Sequence, residues 1–168
     1  MIKKYLSLIT IIFFINITHY QAVISAGPKS KGDQDLSFLN VKNSNFKKGL
    51  DAIKQAKKYK TKGKVQKAED RFNDCIKFFI AANNENPNEP DILYYLGFSY
   101  KNVSDIIMAE IYYEQGLEID PKHININKNL AELYIETNRV HKAKERLKLL
   151  ENCNCEEYKE VNFLISKY

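Results

Sequence analysis

Three stretches of the chain restate one spacing of small and aromatic residues, and this restatement limits the fold more than any other feature. In the middle copy Leu93, Leu96, Gly97 and Tyr100 are followed by Ala109, Tyr113, Gly116 and Pro121. Leu130, Ala131 and Tyr134, then Ala143 and Leu147, repeat it 34 residues later. Ala56 and Tyr59, then Ala68 and Phe72, carry it upstream. In every copy the tyrosine precedes the following alanine by nine residues. Between them stands a turn residue, Gly63, Ser104 or Asn138, followed two places later by Val65, Ile106 or Val140. A period in this range is the mark of stacked supersecondary units, each burying the apolar face of its neighbour. Apolar residues recur at three- and four-residue steps, so the units are helical.

The pattern resembles the tetratricopeptide repeat, with Leu93 standing where that family prefers Trp. The resemblance implies an all-α solenoid of about three helix pairs over residues 44–152. In such a fold Ala56, Gly97 and Ala131 let each first helix approach its partner, and Ala68, Ala109 and Ala143 do so from the second helix. Tyr59, Tyr100 and Tyr134 fill the space toward the next pair. The first copy departs from the period: Tyr59 and Tyr100 are 41 residues apart. Ala68, Phe72, Cys75, Phe79 and Ala82 keep a helical stripe in phase through this excess. The spacing predicts a second helix lengthened by two turns, from about Val65 to Asn84, able to protrude with its face still buried. In residues 155–168, Tyr158, Val161, Leu164, Ile165 and Tyr168 share a helical face, which predicts a helix capping the open end.

The amino terminus reads as an export signal. Lys3 and Lys4 precede the apolar run Leu6–Ile17, and a more polar stretch ends at Val23, Ile24, Ser25 and Ala26. The run is shorter than the roughly 20 residues that span a bilayer, so residues 1–26 are expected to be removed. The mature chain should then have no membrane span and lie in the periplasm or outside the cell. Abundant Asn and Lys with no Trp are what AT-rich codons favour, consistent with a bacterial source. Residues 27–43 read as a flexible lead-in.

Charge is unevenly placed. The whole chain carries a formal +5, yet residues 42–67 hold ten Lys against one Asp, and residues 68–168 hold 12 basic and 18 acidic residues. On the first helix Phe46, Leu50, Ile53, Ala56 and Tyr59 form an apolar face, and Lys47, Lys48, Lys54, Lys58 and Lys62 fall mainly outside it. These read as a solvated face, or as a weak contact with an anionic envelope surface or acidic protein. An exported protein has no call for nucleic acid.

Chemistry is scarce. His19, His123 and His141 do not stand with Cys or carboxylates at a ligand spacing, and neither a nucleophile motif nor a phosphate loop is present. No catalytic residue, metal or cofactor is expected. Cys153 and Cys155 flank one residue at the joint before the capping helix. In an oxidising compartment they form a structural bridge, or they remain free or intermolecular thiols; a thiol–disulfide role is a further alternative. Similar repeat proteins sometimes carry a Cys pair here, which supports the structural role. Cys75 lies on the buried stripe.

The resemblance also locates function. First helices of this family line a concave groove that holds a peptide or partner helix. It implies Lys57 and Lys60 from the first copy, Tyr94, Phe98, Lys101 and Asn102 from the second, and Asn125, Lys128, Glu132 and Glu136 from the third. Tyr94 and Phe98 lie off the packing face of their own pair. They are either interface anchors or packed on the neighbouring first helix. The expected work is that of an adaptor holding a protein or peptide partner.

Overall fold

A computed structural model describes residues 44–168, and in them the chain forms seven helices: α1 Ser44–Thr61, α2 Val65–Glu85, α3 Pro90–Asn102, α4 Ile106–Ile119, α5 Ile124–Glu136, α6 Val140–Leu150 and α7 Glu156–Ile165. The export signal and lead-in fall outside the described residues. Each odd helix packs mainly on the even helix that follows it, giving three pairs, and α7 packs on both α5 and α6. The architecture is an all-α helical-repeat solenoid.

The turns explain the pairing. Gly63, Ser104 and Asn138 all adopt left-handed backbone, with φ of 67°, 65° and 61°. This ends each first helix and reverses the chain within a few residues. Nothing lies within 4 Å of where a Gly63 side chain would begin, so glycine is there for its backbone freedom alone. Local side chains finish other ends. Asp105 accepts from the Met108 N–H at 3.1 Å at the start of α4. Pro90 opens α3, where its missing N–H costs nothing.

Ala56, Ala109, Ala131 and Ala143 are fully buried and Ala68 nearly so. Gly97 shows why small residues stand here: a methyl group on it would lie 2.5 Å from the Tyr113 ring. Two apolar clusters result. One centres on Phe46, Ile53, Phe72, Phe79 and Leu96, the other on Tyr113, Ile126, Leu130, Leu133 and Leu150. Tyr100, stacked on Tyr112 at 5.4 Å, packs against both.

The second helix of the first pair is long, 21 residues against 14 for α4, and its stripe of Ala68, Phe72, Cys75, Phe79 and Ala82 is buried throughout. It does not stand out alone, because α1 is long too, 18 residues against 13 for α3. Phe79 packs edge-on to Phe46 at the start of α1 and stacks on Tyr95 at 5.2 Å. Asn45 donates to Glu85 at 2.6 Å, tying the far ends of the two helices. The extra turns enlarge one pair and do not extend past it.

At the other end α7 buries Val161 and Ile165 on the second cluster. Cys153 and Cys155 are joined by a disulfide in the link from α6, with their Cα atoms 5.1 Å apart and Cys155 capping α7.

Candidate functional site

The first helices α1, α3 and α5 lie on one side of the stack, and a groove of about 510 Å³ runs over them. Lys57 and Lys60 border it from α1. Phe98, Lys101 and Asn102 come from α3, and Asn129, Glu132 and Glu136 from α5, with Phe72 and Ser104 completing the lining. Seven of the ten groove residues expected from sequence thus meet in one place: Lys57, Lys60, Phe98, Lys101, Asn102, Glu132 and Glu136.

The three others do not line it. Tyr94 is half-buried among Tyr95, Phe98 and His123, its ring 6.0 Å from the imidazole. Burial pushes its hydroxyl well above the ordinary tyrosine range. Asn125 gives its backbone carbonyl to the Asn129 side chain at 2.8 Å. Lys128 is held by Glu160 of the capping helix and stands 3.9 Å from Glu132. Burial alone would lower its pKa, but Glu160 and Glu132 raise it overall, so the cation stays paired. Sequence spacing does not place Asn129, Phe72 or Ser104 in the groove, though all three line it. Asn129 continues the four-three-four spacing of Asn125, Glu132 and Glu136 on α5, a signal that would have found it.

Electrostatics divide the groove. Lys101, 15% exposed, lies 2.9 Å from Glu136 and 3.4 Å from Glu132. This sets one cation against the two carboxylates of the α5 side. Lys57 and Lys60, on the α1 side, have no carboxylate partner among the described residues. Lys57 sits 5.0 Å above the Phe98 ring and Lys60 donates to the Asn102 side-chain oxygen at 3.0 Å. Phe98 in turn meets Phe72 edge-on at 6.0 Å. An aromatic floor edged by cations and amides is equipped to recognise a segment of protein. Among the described residues no cluster of His, Cys, Asp or Glu could hold a metal ion.

Two joints tie the second pair to the third. His123 caps α5, its Nδ1 accepting from the Ile126 N–H at 3.3 Å, so that Nε2–H faces Asp91 of α3 at 3.1 Å. Behind the groove, Arg139 donates two bonds of 2.7 Å to Glu110 and lies over the Tyr134 ring. That fork holds the Glu110 carboxyl below its ordinary value of 4.5.

The tetratricopeptide-repeat pattern matches residues 90–123 and again residues 109–160. No curated protein matches the chain. Among solved structures the fold is similar to the type III secretion translocator chaperone SycD of Yersinia enterocolitica, at 17% identity over 71% of this chain and 89% of that one, with a TM-score of 0.55. An alternative dimer of SycD matches at 20% identity over 72% and 88% of the two chains, TM-score 0.52. SycD in complex with a peptide of the translocator YopD matches at 20% over 70% and 86%, TM-score 0.52. With its three helix pairs and their shared spacing, the chain carries tetratricopeptide repeats over residues 90–160.

Proposed function

We propose that the protein is an exported, non-catalytic adaptor that seats a segment of another protein in the groove over α1, α3 and α5. The observation that carries this reading is the lining itself. All three pairs contribute, and together they present the partly exposed Phe98 ring, backed by the buried Phe72, beside two uncompensated cations. The similarity in fold to a secretion chaperone solved with a peptide supports the class of work and leaves the ligand open. The destination rests on residues 1–26 of the sequence.

A photo-crosslinker at position 60 in the groove, compared with one at the outward-facing Lys144, tests the groove in the native cell. Crosslinks to a defined partner from position 60 alone are expected, and Lys57→Glu with Lys60→Glu should remove the partner while helicity is kept. Equal crosslinking from both positions rejects the groove. Fractionation with intact-mass measurement tests export: a chain lacking residues 1–26 outside the cytoplasm is expected, and a full-length cytoplasmic chain rejects it.

A further inference from the structure

The lysines of the first helix form a second surface. Lys47, Lys54 and Lys58 recur at intervals of seven and four, which puts them on one face of α1. Phe46, Ala52, Ile53 and Ala56 are buried against the stack, and these three lysines are exposed. Lys62 and Lys64 carry the same charge into the following turn, also exposed. From Lys47 to Lys58 the helix rises 11 residues, so the three charges spread over roughly 17 Å.

Several cations elsewhere in the molecule meet carboxylates: Lys101 meets Glu136, Lys128 meets Glu160, and Arg139 and Lys142 meet Glu110. On α1 the single acid, Asp51, stands amid the lysines, and no lysine of this face is in an ion pair among the described residues. The face therefore carries a net positive charge that Asp51 offsets only in part.

We infer that this face is a docking surface for an anionic phospholipid bilayer, separate from the groove. Three features favour lipid headgroups over a folded protein partner. The cations are all lysines with no arginine among them, and lysine is depleted at protein interfaces where arginine and aromatics are enriched. On α1 itself no aromatic or aliphatic side chain is exposed, and Val65 just past the turn is the one exposed aliphatic beside the lysines. The charges spread along a helix and do not converge on a pocket, which matches a plane of phosphates. The apolar run Leu6–Ile17, with residues 18–43 between it and α1, brings the same chain to a membrane during export.

The chain lacking residues 1–26 is mixed with vesicles of phosphatidylcholine alone and of phosphatidylcholine with phosphatidylglycerol, and bound protein is measured by sedimentation. Anionic vesicles should capture more protein than neutral ones. The excess should fall about tenfold or more when ionic strength rises from ~0.01 M to ~0.15 M, as the screening length shortens from about 30 Å to about 8 Å. At roughly fivefold per lysine, Lys47→Gln with Lys54→Gln and Lys58→Gln should weaken anionic binding about 100-fold. The matching triple Lys→Arg variant should retain it. Salt-independent capture, or unchanged capture of the glutamine variant, overturns the inference. So does tighter binding of duplex DNA or polyglutamate at matched charge, which reassigns the face to nucleic acid or to an acidic protein. The salt series on the unaltered chain reads the same electrostatic attraction without any substitution.

Discussion

At its first end the stack finishes in the lysine face of α1; at its last end it finishes in α7, which lays Val161 and Ile165 over the apolar side of α5 and α6. Both are answers to the same exposure. An open repeat array has an apolar face at each end that nothing further covers. α1 meets the requirement within one helix, by concentrating its apolar residues on the inner side and charge on the outer. The third pair keeps an apolar outer side at Leu150 and needs an added helix, with a disulfide in the link that delivers it. The difference teaches that a cap is a property of a face and does not require an extra element.

Substitutions can break this comparison. The largest effect is expected from Phe79→Ala, which empties a fully buried aromatic site between α1, α2 and Tyr95 and should cost about 3–5 kcal/mol. Urea unfolding followed by circular dichroism measures it. Leu150→Ala at the other end should cost about 2–4 kcal/mol. Hydrogen exchange should then show the α7 amides losing protection first, and uniform loss across all helices would contradict the idea of a separable cap. Gly97→Ala, forced against the Tyr113 ring, should cost about 1–3 kcal/mol and lower the thermal midpoint.

The Glu110–Arg139 fork gives a pH test. Glu110 is held below its ordinary 4.5 chiefly by the hydrogen bonds from Arg139. A carboxylate with a lowered folded-state pKa adds stability that is complete above the unfolded value and lost as pH falls through the folded one. Glu110→Gln should therefore cost about 1 kcal/mol at neutral pH. The gap from the unaltered chain should close as pH drops below 4.5. A gap that stays constant in acid would show that the fork acts through packing. Smallest of all, the triple glutamine variant of Lys47, Lys54 and Lys58 should change stability by no more than about 0.5 kcal/mol. Equal costs for this variant and Leu150→Ala would erase the distinction between the two ends.

Sequence spacing exposed most of the fold because the signals are local. The tyrosine-to-alanine interval, the left-handed turn residues and the phased stripe of α2 all lie within one helix pair. Its limits appear where one pair meets the next. Tyr94 lies off the packing face of its own pair, but His123, 29 residues onward, lies against its ring. Lys128 has the right helical phase for the groove, but Glu160 of the capping helix takes it. The paired length of α1 and α2 escaped for the same reason: the excess over the period was visible, while the partner that buries it depends on how the two helices align. Helical phase determines the side of a helix on which a residue lies, and the neighbour waiting there comes from the stack.

Cys75 has a consequence for anyone who would label this molecule. It is fully buried, and burial pushes its thiol up to about 12. At neutral pH only about one such thiol in 10⁵ is ionised, and the thiolate is the reactive form. Cys153 and Cys155 occupy each other in their disulfide. Under non-reducing conditions a cysteine introduced at Lys60 would be the single reactive sulfur of the described residues, so a probe could be placed in the groove without first removing any native one.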